Sequence, residues 1–188
     1  MATRIWAALA ATAGALMLPA CSGDTAEDDG AGKVSSETLA SVVDDTDGLD
    51  VVSEALGDAG LAQVFDGAAS YTFFAPQDSA FDALGEAGDD LRAPEQRAAM
   101  VAILRDHIVP GYLTPDDIGK AIGLAEDGSV EMRTMGDHTL TFTSDGDTIV
   151  ATSEDGATAR FAGNAVRASN GVAIPLDAVL KRIAAPAG

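Results

Sequence analysis

One cysteine, two histidines and one tryptophan are all that the 188 residues contain of those types. A single thiol allows no disulfide within the chain, so the fold stands without covalent staples even in an oxidising compartment. Lysine and arginine are also short, 11 against 30 aspartates and glutamates, for a formal net charge of −19. Nucleic-acid phosphates and anionic lipid headgroups both need cationic partners, so this balance excludes either as a charge-driven partner. Acidity of this kind serves solubility. Catalytic signatures are missing as well. There is no Gly-x-Ser-x-Gly elbow, no His-Glu-x-x-His helix and no phosphate-cradling glycine loop. Carboxylates abound without selecting a catalytic pair. The runs Asp44-Asp45-Thr46-Asp47 and Ser153-Glu154-Asp155 lack the calcium-loop pattern and read as solvated surface. No enzyme activity, metal or cofactor is expected.

What is present begins with a targeting segment. Arg4 gives a positive start, Ile5 to Leu18 is an apolar run too short to span a bilayer comfortably, and small residues follow. Residues 1–20 therefore read as an export signal. Leu18-Pro19-Ala20-Cys21 resembles the bacterial lipobox, which implies cleavage before Cys21 and lipidation of its thiol. The alternative is a plain secretory signal in which Cys21 is incidental. Attached acyl chains contribute about 0.8 kcal/mol per buried CH₂, enough for a stable anchor without a transmembrane helix. Ser22 in the next position resembles the pattern that sends lipoproteins to the outer membrane of Gram-negative cells, so an envelope location, outer membrane or periplasm, is expected. Residues 21–34 are rich in Ser, Gly, Asp and Glu and form an acidic tether, holding the domain on the order of 20 Å from the bilayer.

Residues 35–183 form one domain, and 184–188 are a tail. The organising stretch is Tyr71-Thr72-Phe73-Phe74-Ala75-Pro76-Gln77-Asp78-Ser79-Ala80-Phe81: a β-prone half, a proline that ends it, and a helix whose N-cap is Asp78. Phe74 and Phe81 flank the break and are expected in one core. Upstream, Ser35 or Ser36 caps a helix over Thr38 to Val43, a second runs from about Leu49 to Gly57, and Leu61, Val64 and Phe65 make a further turn. The helix of Phe81 and Leu84 stops at Gly85 and Gly88. Pro94 opens a helix through Arg97 to His107, and Thr114-Pro115-Asp116-Asp117 caps another to about Ile122. After Gly128 the period becomes two: Val130 to Thr134, Leu140 and Phe142, Thr148 to Ala151, Thr158 to Ala162, a strand from Val166, and Val172 to Leu180. Helices, one strand, helices and then strands describe an α+β fold.

Four ordered segments then carry a resemblance to the fasciclin domain family. Tyr71 to Phe81 resembles its first signature and Asn170-Gly171-Val172-Ala173-Ile174-Pro175-Leu176-Asp177-Ala178-Val179-Leu180 its second. Between them, Asp106-His107-Ile108-Val109-Pro110-Gly111 is similar to its Tyr-His segment, and Thr134-Met135-Gly136 in part to its Thr-Leu-x-Gly strand start. The resemblance implies a β-wedge of about six or seven strands with helices along one side. With the anchor expected at Cys21, it also implies a binding or adhesion module for protein or polysaccharide at the envelope, and a monomer is expected. A carrier of an apolar molecule such as a carotenoid, held between helices and sheet, is the alternative, and a hydrolase the third reading. In animal relatives the Tyr-His segment is implicated in integrin adhesion; with Asp106 in the tyrosine's place that activity is not expected here. Ile174 and Pro175 stand where the second signature usually has His and Val, and Pro175 marks an edge or irregular strand.

The family-motif positions Asp78, Asp106, His107, Asn170 and Asp177 read as mainly structural, with binding as their alternative. Asp78 is a helix cap; His107 bonds near Gln77 or Asp78; Asn170 tolerates positive φ in a turn. Met132, Met135 and His138 carry ligand types that suit copper, but a strand splits Met132 from Met135 across two faces. His138→Ala is expected to cost little stability.

Overall fold

The computed structural model describes residues 34–183. The signal segment, Cys21, the tether through residue 33 and residues 184–188 lie outside the described residues.

Three short helices come first: α1 (Leu39–Asp44), α2 (Asp50–Asp58) and α3 (Ala62–Phe65). The cap of α1 is Thr38, whose hydroxyl accepts from the Ser41 N–H, and not Ser35, which bonds Glu37. Thr38 is the last extended residue, so only its side chain reaches back over the first turn. Strand β1 (Tyr71–Pro76) leads into α4 (Asp78–Asp82), and here the expected cap is also displaced. Gln77 occupies the cap position without a side-chain bond, while the Asp78 carboxylate accepts from the Val51 N–H at 2.9 Å. Val51 is in the first turn of α2, whose own cap residue, Leu49, has no polar side chain to offer. Asp78 therefore caps a helix 27 residues upstream, held in place by its own N–H on Gly48 O at 2.9 Å. Asp78→Ala should cost about 1 kcal/mol, read as a lower denaturant midpoint with an unchanged slope.

A helix follows where Gly85 and Gly88 predict a stop: α5 (Glu86–Arg92). Gly88 lies buried inside it because a Cβ there would come within 2.2 Å of Phe81 O; the glycine permits close approach and does not stop the helix. A 3₁₀ turn (Pro94–Gln96) opens α6 (Arg97–Asp106), then come a short strand β2 (Ile108–Pro110) and α7 (Pro115–Leu124). Thr114 and Asp117 close a reciprocal capping box on α7, and the hydrogen bonds from Thr114 hold the Asp117 carboxyl below its ordinary pKa. The rest is strand: β3 (Ser129–Arg133), β4 (Thr139–Asp145), β5 (Thr148–Ser153), β6 (Thr158–Arg160), β7 (Val166–Ala168) and β8 (Gly171–Leu176).

These eight strands form two four-stranded sheets, ordered β2-β1-β8-β7 and β3-β4-β5-β6. The fold is α+β, with β2 the strand beyond the expected six or seven. The two family signatures meet directly: β1 and β8 run parallel, Tyr71 beside Gly171 through Pro76 beside Leu176. Strand alternation then divides the interior. Phe73, Ala75 and Ala173 face α1 to α6 with Phe65, Phe81 and Leu104, whereas Phe74, Val172 and Ile174 face the second sheet with Leu140, Phe142 and Ala151. Phe74 and Phe81 thus occupy two cores, not one, because Phe73 is the strand residue whose parity matches the helical side. Helix α7 departs from the single helical side too, placing Ile118 and Ile122 in the inter-sheet core.

Pro175 sits in an interior strand and yet breaks no ladder. Its carbonyl accepts from the Ala162 N–H, so its nitrogen faces the same side, where pairing with β7 has already ended at Ala173.

Candidate functional site

The C-terminal end of α6 places two adjacent polar residues in different surroundings. His107 is fully buried, its Nδ1 2.8 Å from the Ile103 carbonyl and its Nε2 accepting from the Leu180 N–H at 2.9 Å. Those partners require a neutral ring with the proton on Nδ1. Burial pushes its pKa from 6.5 down to about 4, against the opposing pull of the Ile103 carbonyl and the Asp106 charge. The expected contact with Gln77 or Asp78 is replaced by one to the second signature, because helix direction aims the ring at the segment after β8.

Asp106 is almost buried, at 8% exposure, and its Oδ1 lies 2.7 Å from Nδ1 of the half-exposed His138. No spacing rule links positions 32 apart, so local pattern does not announce this pair. The connecting piece is the turn from Thr134 to His138. Met135 N–H donates to Ile108 O and Gly136 N–H to Arg105 O, pressing the turn onto the end of α6. A Cβ on Gly136 would fall 1.8 Å from Asp106 Oδ1, so only glycine leaves room for the carboxylate. Thr134 and Gly136 thus belong to a turn, not to the start of a strand.

The remaining motif positions stitch segments together. Asn170 does not take the positive φ expected of it; among the described residues other than glycine only Asp137 does, at 68°. Its carboxamide accepts from the Leu39 N–H at 2.8 Å and donates to Phe65 O and Gly67 O, joining α1 to α3. Asp177 accepts from the Arg160 N–H at 2.7 Å and returns its own N–H to Arg160 O. Met132 packs in the inter-sheet core and Met135 in the helical one, so their sulfurs do not converge.

Beside Asp106 and His138 opens a cleft of about 510 Å³ between α5, α6 and the segment that follows the second signature. Leu91, Ala99, Ala102, Ile103 and Ile183 give it apolar walls, and Lys181 and Arg182 form part of its rim. Asp155 fixes that rim. Burial raises its pKa, but hydrogen bonds from Ser153, Arg182 and Ala157, with the Lys181 charge, outweigh this and bring it to about 2. The space between helices and first sheet, by contrast, is filled by core side chains.

Two four-stranded sheets with six helices over one outer face define an α+β fold. The fasciclin domain model matches residues 47–182, and the chain belongs to the fasciclin domain family. A solved FAS1 domain pair from the insect cell adhesion molecule fasciclin I is similar to it, with a TM-score of 0.67 at 17% identity. That match covers 78% of this chain and 51% of the other, so the chain spans about half of that structure's length. At this identity the likeness shows the fold. Among curated proteins no sequence matches the chain.

Proposed function

We propose that this chain is a non-catalytic binding and adhesion module, exported and held at the cell envelope through Cys21, that recognises a protein or polysaccharide of the envelope or matrix. The family match over residues 47–182 is the observation that carries this reading. The outer face of the second sheet gives it a surface. Thr141 pairs with Thr152 and Thr152 with Thr158, each next to a residue buried in the inter-sheet core, so their hydroxyls form a row on the opposite face. Aligned hydroxyls on a regular sheet suit the hydroxyls of a polysaccharide, and with a net charge of −19 a neutral or basic partner is favoured.

Binding of the full chain to purified envelope polysaccharide tests this. Saturable binding is expected, weakened at least tenfold when Thr141 and Thr152 are both replaced by Lys with the circular-dichroism spectrum unchanged. Retention no better than that of an unrelated domain on the same N-terminal 34 residues overturns the polysaccharide assignment.

A further inference from the structure

The pair Asp106–His138 lines a cleft that shares no residue with the threonine row of the second sheet. A carboxylate only accepts hydrogen bonds, so the 2.7 Å contact places the proton of the neutral His138 ring on Nδ1. Nε2 is then an acceptor, and among the described residues nothing donates to it. The carboxylate is fixed by burial and by the Gly136 turn, which in turn holds the ring; this is how an orienting carboxylate sets the tautomer of a working imidazole. His138 and Asp106 both line the cleft, whose volume of about 510 Å³ lies within the usual range for small-molecule sites.

Both rim cations are engaged by groups outside the cleft lining. Lys181 turns to Asp155 at 3.5 Å, and the Arg182 guanidinium turns to Gly156 O at 3.4 Å. Asp90 and Asp106 remain as negative lining groups. What is left is a chamber with apolar walls in which Asp90, Gln96 and Asp106 are further polar groups and His138 is the one ring oriented by a buried carboxylate.

From this we infer that the cleft binds a compact, neutral ring molecule bearing a hydroxyl, a phenol or alicyclic alcohol, whose O–H donates to His138 Nε2 while its ring lies against Leu91, Ala102 and Ile103. Since His138 is half exposed, the hydroxyl contributes selectivity of several-fold and not the larger factor of a sealed site.

The test uses the full chain at pH 8 with three probes of one shape: 2-naphthol, 2-methoxynaphthalene and naphthalene. Fluorescence titration should give 2-naphthol the tightest binding, at least fivefold over the other two. His138→Leu, which keeps an apolar wall, should abolish that preference while naphthalene binding stays. Asp106→Asn, which lets the carboxamide donate to Nδ1 and turns Nε2 into a donor, should shift preference towards the methoxy probe. A readout on the unaltered chain guards against variants that fail to fold. The protein has two histidines, so in ¹⁵N-histidine spectra 2-naphthol should move the Nε2 resonance of His138 and leave both nitrogens of buried His107 in place. Equal affinity for all three probes, no binding of any, or an unmoved His138 resonance overturns the inference.

Discussion

Phe74→Ala is expected to cost about 3–5 kcal/mol, a large part of the stability of a domain this size. Its ring is fully buried with centroids 4.9 Å from Phe142 and 5.8 Å from Phe161, so truncation opens a cavity bounded by two other rings. Rings in a sheet-bound cluster move little, and the cavity term stays near its full value. Phe81→Ala should cost a similar amount but in the other core, where the ring is fully buried and lies under the Arg92 guanidinium at 5.9 Å. Because the β1–β8 sheet stands between the two clusters, the double variant should be the sum of the singles to within a few tenths of a kcal/mol. Chemical denaturation of the three variants checks this. A coupling well above that margin would mean that the two cores act as one.

Acid should unfold the domain partly through one side chain. The folded pKa of His107 is depressed to about 4 from 6.5. Between these values the unfolded chain binds a proton that the folded one refuses. Its contribution is therefore complete above pH 6.5 and is lost as pH falls through 4, in total roughly 3 kcal/mol from the size of the shift. The structural event is loss of the acceptor for the Leu180 N–H, since a doubly protonated ring has no lone pair to offer. His107→Gln should be less stable at pH 7.5, yet show a shallower decline between pH 6.5 and 4. Denaturant midpoints measured for both proteins across that window decide the matter: parallel curves would assign acid sensitivity to other groups.

Local chemistry made much of this fold readable. Thr114-Pro115-Asp116-Asp117 spells a cap and its helix, because the partners of a capping box lie three residues apart. The hairpin of β4 and β5 follows from Gly146 and alternating apolar residues, although the turn is Gly146-Asp147 and not the expected Asp145-Gly146, because Asp145 still pairs with Thr148. Three expected roles change because the actual partner is distant in the chain. Asp78 serves α2 and Asn170 serves α1 and α3, where local chemistry suggests only a cap and a turn at their own positions, and His107 serves the chain after β8 instead of the distant Gln77 or Asp78. Gly88 reads as a helix stop because a glycine's sequence neighbourhood does not reveal that Phe81 O passes beside it.

The order of helices and strands, the two signatures and the apolar periodicity were fixed by covalent neighbours, and they sufficed for the α+β class and the fasciclin family. Which face of β1 meets which core, which helix Asp78 caps, and that Asp106 meets His138 at a cleft were decided only by folding. Those outcomes depend on groups separated by 27 to 73 residues coming within hydrogen-bond distance. Local periodicity carries no term for such encounters, whereas the pairing of β1 with β8 brings the distant segments together, and among the described residues no buried side-chain polar atom is left without a partner.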